Sequence, residues 1–133
     1  MDKKLYVSID IDGTINSSKT SMSFFKTMTQ LLYPEAHITI LTAREPGTED
    51  QIIAELEQMN ILYDKLVITD NKQEYIKSHN ISVVFENEDE SFKSLEPDIL
   101  VLKVREGGNY NYKTGRWYGS KQTVEMIDED KQP

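Results

Sequence analysis

Two aspartates stand two residues apart directly after an apolar run. The run covers Lys4 to Ile9; Asp10 and Asp12 follow it, and Gly13 suits a turn. Two carboxylates this close repel each other, and both stay ionised only if a cation or several hydrogen-bond donors lie between them. Mg²⁺ meets this need because it binds a few carboxylates together with waters and a substrate phosphate. The pair therefore predicts a site for Mg²⁺ as cofactor.

Further polar side chains follow or precede the other apolar runs. Thr42 and Arg44 follow the second run, Lys72 opens the segment before the fourth, and Glu86 ends the fourth. A hydroxyl and an ammonium supply the hydrogen bonds and positive charge that a transferring phosphoryl group needs. A carboxylate nucleophile can form an aspartyl-phosphate and so divide a hard displacement into two easier steps. These residue types indicate phosphoryl transfer.

The elements that must position these groups are strands that alternate with helices. This order predicts an α/β fold, a Rossmann-like parallel sheet with helices on both faces, whose active site lies at the carboxyl ends of the strands. Strands are expected at Lys4–Ile9, Ala36–Leu41, Lys65–Thr69, Ile81–Phe85 and Ile99–Val104. Thr48 and Gln51 predict a capping box at the start of the second helix.

The segment Asp10–Thr14, DIDGT, resembles the DxDGT signature of the haloacid dehalogenase (HAD) superfamily, including the apolar strand that precedes it. Leu41–Arg44, LTAR, is similar to the second motif of many phosphatases in that family. The resemblance extends from about Lys4 to about Leu102, which is most of the chain. It implies a Rossmann-like HAD fold and dependence on Mg²⁺.

The resemblance also implies roles for single residues. Asp10 would be the nucleophile. Asp12 would be the general acid that protonates the leaving group and then the base that activates water, and its backbone carbonyl would bind the metal. Thr42 would hold the phosphoryl group, and Lys72 would neutralise the intermediate.

Some of these assignments have rivals in the sequence. Thr42, Ala43 and Arg44 are expected to bind the substrate phosphate, but Arg44 fits a surface ion pair equally well. Lys65 competes with Lys72, which is favoured because it opens the segment that leads into the fourth strand.

The fourth motif departs from the family pattern. The family usually has one or two aspartates after this strand, whereas this chain has FENEDES at residues 85–91. Glu86 occupies the expected position, and its extra methylene shifts the carboxylate by about 1.5 Å. The predicted metal ligands are therefore Asp10, Asp12 and either Glu86, directly or through water, or Asp89.

The spacing of the motifs leaves no room for a substrate-selecting cap domain. Only 27 residues, 15–41, lie between the first and second motifs, and one helix and one strand occupy them. We expect a capless single domain over residues 1–127 and a frayed tail over 128–133. By analogy with the family, an open site suits a large phosphorylated substrate, either a nucleic-acid end or a phosphoprotein, or a partner subunit, and a homo-oligomer remains open.

An aromatic and basic segment follows the fifth strand. A β-hairpin is expected over residues 109–120, with Gly115 in its loop. Between Lys103 and Lys121 there are five basic residues and one acidic residue, whereas the whole chain carries a net charge of −8. The hairpin could be a stacking platform beside the site or a set of cross-strand pairs that covers a sheet edge, and the second interpretation is favoured.

Composition excludes several classes of function. The chain has no cysteine, so disulfides, thiolate metal sites and a cysteine nucleophile are excluded. The net charge of −8 argues against non-specific nucleic-acid binding. No segment has the length and composition of a signal peptide or a membrane span, so a cytoplasmic protein that does not bind membranes is expected.

The leading interpretation is an enzyme, a Mg²⁺-dependent phosphomonoester hydrolase that acts through an aspartyl-phosphate. The alternative is a non-catalytic HAD-like domain that binds phosphate or metal for regulation, and the altered fourth motif favours it. A receiver-like signalling domain is a third interpretation. The order of the Asp10–Thr14 motif argues against it, because a receiver's phosphoacceptor follows a middle strand.

Overall fold

The computed structural model describes residues 5–117. The predicted tail at 128–133 and the end of the predicted hairpin at 118–120 lie outside these residues.

The centre of the fold is a parallel sheet of five strands in the order β3-β2-β1-β4-β5. The strands are β1 (Leu5–Ile9), β2 (Ala36–Thr42), β3 (Lys65–Ile68), β4 (Val83–Glu86) and β5 (Leu100–Lys103). Strand β2 is rich in β-branched residues and is buried along nearly its whole length, as expected for a strand covered on both faces. The predicted Rossmann-like parallel sheet is confirmed.

Three helices cover the two faces of this sheet. They are α1 (Lys19–Leu32), α2 (Glu49–Gln58) and α3 (Lys72–Ser78). On one face, Phe25 of α1 and Leu56 of α2 belong to the main buried cluster with residues of β1 and β2. On the other face, Ile76 of α3 packs with Leu41 and Val84. Within residues 5–117, no helix combines the length and the apolar character that crossing a membrane requires.

Strand register aligns the carboxyl ends that carry the polar groups. Ile9 at the end of β1 pairs with Ile40 of β2 on one side and with Phe85 of β4 on the other. The backbone N–H of Asp10 continues the β4 ladder by donating to the carbonyl of Phe85 at 3.0 Å. The chain adds β2 and β3 on one side of β1, then β4 and β5 on the other. Asp10 therefore lies at the switch point, where such sheets form their binding crevice.

Side chains cap the first turn of α1, whereas no side chain caps the first turn of α2. The Ser18 hydroxyl accepts a hydrogen bond from the Ser21 backbone N–H, and Ser21 reciprocates toward the Ser18 N–H. The predicted capping box at Thr48 is wrong: Thr48 precedes α2 but makes no side-chain cap, and its hydroxyl donates to the carbonyl of Glu45 at 2.7 Å instead. The preceding turn competes successfully for this hydroxyl.

The hairpin forms, although it stands apart from the main sheet. Strands β6 (Tyr110–Asn111) and β7 (Arg116–Trp117) pair in a separate two-stranded sheet, and Gly115 adopts a φ of 69° in the loop. Tyr110 contacts the Trp117 ring edge to face at a centroid distance of 5.0 Å. The predicted cross-strand aromatic pair therefore forms, but within residues 5–117 the hairpin does not extend the main sheet as expected, because its two strands pair only with each other.

The two helix starts yield a stability test. Ser18→Ala should lower the free energy of unfolding by about 1 kcal/mol, because it removes the acceptor for one otherwise unpaired N–H at the start of α1. Thr48→Ala should cost less than half as much, because no α2 N–H depends on that side chain. Urea denaturation of the two variants measures this difference, and equal losses would contradict it.

Candidate active site

A pocket of about 230 Å³ opens where β1, β2 and β4 end. All four predicted catalytic residues line it, and so do the other two predicted substrate-binding residues. The lining consists of Asp10, Asp12, Thr42, Ala43, Arg44, Lys72, Asn87 and Glu88. The rival lysine, Lys65, begins β3 at the opposite end of the strands, where its ammonium lies 5.7 Å from the centre of the Tyr75 ring. The fold therefore selects Lys72.

A buried ion cluster forms the floor of the site. The Lys72 ammonium donates to Asp10 Oδ1 at 2.7 Å and to Glu86 Oε2 at 2.8 Å. All three side chains are at least nine-tenths buried. Removing one partner from such a cluster leaves an uncompensated buried charge, which typically costs about 3–5 kcal/mol. Each side chain is therefore held in place by the other two.

The cluster shifts the proton equilibria of its members. Burial raises the pKa of Asp10 to about 7; Lys72 opposes this shift and the Glu86 carboxylate adds to it. Burial alone would lower the pKa of Lys72, but the charges of Asp10 and Glu86 together raise it. Lys72 is therefore positively charged at neutral pH, whereas Asp10 is poised between its acid and its carboxylate. A further cation near Asp10 would favour the carboxylate.

Thr14 fixes the second oxygen of Asp10. Its fully buried hydroxyl donates to Asp10 Oδ2 at 2.9 Å and lies 3.3 Å from Asn87 Oδ1. The chain returns Thr14 to Asp10 through a turn in which Gly13 has a φ of 79°, a conformation that glycine adopts without steric cost. The sequence places Asn87 at the end of the fourth strand, among the groups expected at this edge of the sheet, but assigns it no role in the site.

Asp12 is bound to Arg44 at the side of the pocket. The guanidinium donates to both oxygens of Asp12, each at 2.9 Å, and to Glu55 Oε2 at 2.6 Å. Asn16 donates a further hydrogen bond to Asp12 Oδ1 at 3.0 Å. These bonds, those from Arg44 above all, lower the pKa of Asp12 and keep its carboxylate ionised. Arg44 thus forms the predicted ion pair and also lines the pocket, and its contact with substrate stays a prediction.

The predicted metal ligands are only partly brought together. Among residues 5–117, no group of three or more His, Cys, Asp or Glu side chains lies close enough to hold a metal ion. Asp10 and Glu86 converge on Lys72, whereas the Asp12 carboxylate faces Arg44. Asp89 does not line the pocket and pairs with Lys103.

The donor chemistry nevertheless fits Mg²⁺. Asp10 and Glu86 are carboxylates, the hard oxygen ligands that this ion prefers, and Mg²⁺ needs only one or two of them because it keeps several waters. Burial raises the pKa of Asp10, and the positive charge of Lys72, which Asp10 shares with Glu86, does not fully offset this shift. A divalent cation beside Asp10 would supply further positive charge.

Comparisons with known proteins bear on the fold alone. No protein-family model matches the chain, and no curated protein matches it significantly. One similar solved structure is a universal stress protein in complex with cAMP, with a TM-score of 0.53 and 16% identity; the match covers 78% of this chain and 98% of that one. Another is part of a Pnkp1/Rnl/Hen1 complex, with a TM-score of 0.60 and 17% identity. That match covers 77% of this chain and 47% of the other. Both support the α/β architecture.

The raised pKa of Asp10 predicts how pH changes stability. The unfolded chain releases this proton near pH 3.8, whereas the folded, metal-free protein keeps it until about pH 7. Because the unfolded state binds fewer protons in this window, ionisation of Asp10 destabilises the wild type as pH rises through it. Relative to wild type, the stability of Asp10→Asn should therefore rise by a few kcal/mol between pH 4 and pH 7, at roughly 1.4 kcal/mol per pKa unit.

Urea denaturation in the presence of a chelator measures this difference at several pH values. Asp98→Asn, which removes a charge from an exposed position, is the matched control and should show no such trend. A stability difference for Asp10→Asn that does not change with pH would contradict the account.

Proposed function

We propose that the protein is a Mg²⁺-dependent phosphomonoester hydrolase of the HAD type that acts through an aspartyl-phosphate on Asp10. The observation that carries the proposal is the position of Asp10 in the pocket. Lys72 holds one of its oxygens and Thr14 the other, at 2.7 and 2.9 Å. A nucleophile whose rotation is fixed in this way approaches phosphorus in one orientation, which removes much of the entropic cost of the reaction.

In the first step, an oxygen of Asp10 forms a bond to phosphorus as the bond from phosphorus to the leaving-group oxygen breaks. Asp12 gives a proton to that oxygen, so the leaving group departs as an alcohol. In the second step, Asp12 takes a proton from water while the water oxygen attacks phosphorus. The bond between phosphorus and Asp10 then breaks, which releases inorganic phosphate and restores the carboxylate.

The ion pair of Asp12 and Arg44 makes the roles of these two residues interdependent. A carboxylate with a lowered pKa is a ready base for the second step but a poor acid for the first. A bound phosphoryl group competes with Asp12 for the Arg44 guanidinium, which binds phosphate and carboxylate in the same bidentate manner. Substrate binding thus weakens the pair and lets Asp12 take up the proton that it must donate.

Thr42 and Lys72 complete the phosphate site in this proposal. The Thr42 hydroxyl is buried at the end of β2 and lines the pocket, and Lys72 supplies positive charge beside the nucleophile. When bound by Asp10, the backbone carbonyl of Asp12 and Glu86, Mg²⁺ would neutralise charge on the phosphoryl oxygens.

The proposed substrate is a phosphomonoester whose size is not limited by a cap domain. Within the described residues, α1 is the helix between the first and second motifs and α3 is the helix between β3 and β4, so no cap domain occupies either place. This supports the large phosphorylated substrates inferred from the spacing. The cytoplasmic location expected from the sequence is part of the same proposal.

A non-catalytic phosphate-binding domain is the second candidate. It is favoured by the ion pair at Asp12, because Arg44 donates hydrogen bonds to both oxygens of this carboxylate. An aryl phosphate assayed with and without Mg²⁺ separates the two functions. Metal-dependent release of the aryl alcohol supports the enzyme, and phosphate binding without release supports the binding domain.

Substitutions at the two aspartates test the assigned roles. Asp10→Asn should abolish turnover of an aryl phosphate, because an amide is not a competent nucleophile. Asp12→Asn should lower kcat by about 10² to 10⁴, the usual contribution of general acid–base catalysis. Asp98→Asn is the control and should retain full activity. Wild-type turnover in an Asp10→Asn preparation would overturn the mechanism.

The two carboxylates of the altered fourth motif can be ranked in a Mg²⁺ titration of activity. Glu86→Gln should raise the Mg²⁺ concentration needed for half-maximal activity at least about tenfold, since Mg²⁺ tolerates misplaced ligands poorly. Asp89→Asn should change it little, because that carboxylate is exposed and pairs with Lys103. The reverse ranking would place the metal near Asp89.

A further inference from the structure

A second and larger cavity lies beside the catalytic pocket. Its volume is about 660 Å³, which falls within the range of small-molecule binding sites. It is bounded by the first turns of α1, the end of β5 and the loop that follows β5. Its lining includes Phe24, Phe25, Phe85, Leu102, Arg105 and Glu106.

A hydrogen bond from Arg105 to Asn87 connects the linings of the two cavities. Phe85 lines the larger cavity, and Asn87, two residues further along the chain, lines the catalytic pocket. Two residues of extended chain span about 7 Å. Arg105, at the wall of the larger cavity, donates through Nη1 to the carbonyl of Asn87. A substrate with its phosphate at Asp10 could therefore place the remainder of the molecule in the larger cavity.

The wall of this cavity is apolar and partly aromatic. Phe24 is 53% exposed and Leu102 is 39% exposed, both high values for large apolar side chains. The Phe24 ring is held edge to face against Phe25 at a centroid distance of 5.1 Å, and Phe25 packs in the same way on Phe85 at 5.4 Å. An exposed ring on a fixed support offers a stacking surface for a flat ligand.

Two polar atoms at this wall lack hydrogen-bond partners. Nε of Arg105, a donor, and Oε1 of Glu106, an acceptor, are buried without a partner among the described residues. An unpaired buried polar group is unfavourable, so a ligand group that supplies the missing hydrogen bond would be bound more tightly. A ligand that satisfies both must present an acceptor and a donor. The edge of a nucleobase carries both groups side by side.

We infer that this cavity is a specificity subsite for the base of a nucleotide whose phosphate is hydrolysed at Asp10. The inference rests on the proposed phosphatase function and adds the chemical class of the leaving group, a nucleoside. Phe24 and Leu102 bind the faces of the base, and Arg105 and Glu106 bind its edge. The sugar lies beside Asn87, between the two cavities.

Steady-state kinetics on matched substrates test the inference. Purine nucleoside 5′-monophosphates should be hydrolysed with a kcat/KM at least about tenfold above that of ribose 5-phosphate, a factor typical of stacking on an aromatic ring. Phe24→Ala should remove most of this preference, mainly through KM, and leave ribose 5-phosphate unaffected. Phe24→Tyr should keep the preference. Leu31→Ala, an exposed apolar residue of the same helix outside the cavity, is the control.

Equal kcat/KM values for the nucleotides and ribose 5-phosphate, or parallel losses on both in Phe24→Ala, would overturn the subsite. Sedimentation of wild type and Phe24→Ala adds a second criterion. A dimer that dissociates only in Phe24→Ala would assign the surface to a second copy of the chain, and this too would overturn the inference.

Binding of guanosine and adenosine, which carry no phosphate, separates failure of the subsite from failure of the proposed function. Calorimetric binding that Phe24→Ala abolishes, in a protein that hydrolyses no phosphoester, would retain the subsite and reject the phosphatase. Hydrolysis of ribose 5-phosphate without any binding of these nucleosides would reject the subsite and retain the phosphatase.

Discussion

The Lys72 ammonium, buried between the carboxylates of Asp10 and Glu86, is the interaction on which the rest of the site depends. All three charged side chains are buried, and burying any one of them without the other two would be unfavourable. They meet only because β1 and β4 are neighbours in register and because α3 begins above their ends. The order of the parallel sheet is thus a condition for the electrostatics of the site.

Two carboxylates of one short motif have opposite environments. Asp10 is buried and its pKa is raised to about 7, whereas Asp12 is partly exposed and bound by Arg44, which lowers its pKa. Paired acids whose environments separate their pKa values commonly divide the work of acid, base and nucleophile. In the proposed reaction, phosphate and Mg²⁺ change both environments. A bound Mg²⁺ would favour the ionised form of Asp10, and a bound phosphate would compete with Asp12 for Arg44.

Much of the fold could be predicted because its signals are local. The alternation of apolar runs with helical spacing determines a parallel sheet, and parallel strands present their carboxyl ends at one edge. That argument alone brought Asp10, Thr42 and Lys72 together. The same argument predicted the hairpin turn, where Gly115 adopts a positive φ.

The remaining contacts depend on geometry that spacing does not determine. Glu55 reaches Arg44 only because α2 is rotated so that this side chain faces the end of β2, and helix rotation follows from packing. The Thr48 hydroxyl donates to the carbonyl of Glu45 in the preceding turn and caps no backbone N–H of α2. The larger cavity lies between α1 and the end of β5, where Phe24 is exposed in spite of its apolar side chain.

The most direct test of the central claim is to trap the covalent intermediate. The protein is mixed with a ³²P-labelled phosphomonoester and Mg²⁺, quenched in acid within a single turnover, and digested for mass spectrometry. The account predicts a phosphoryl group on the peptide that contains Asp10, stable in acid, cleaved by hydroxylamine, and absent from Asp10→Asn. Release of phosphate with no labelled protein at any time, or a label on a different residue, would contradict it.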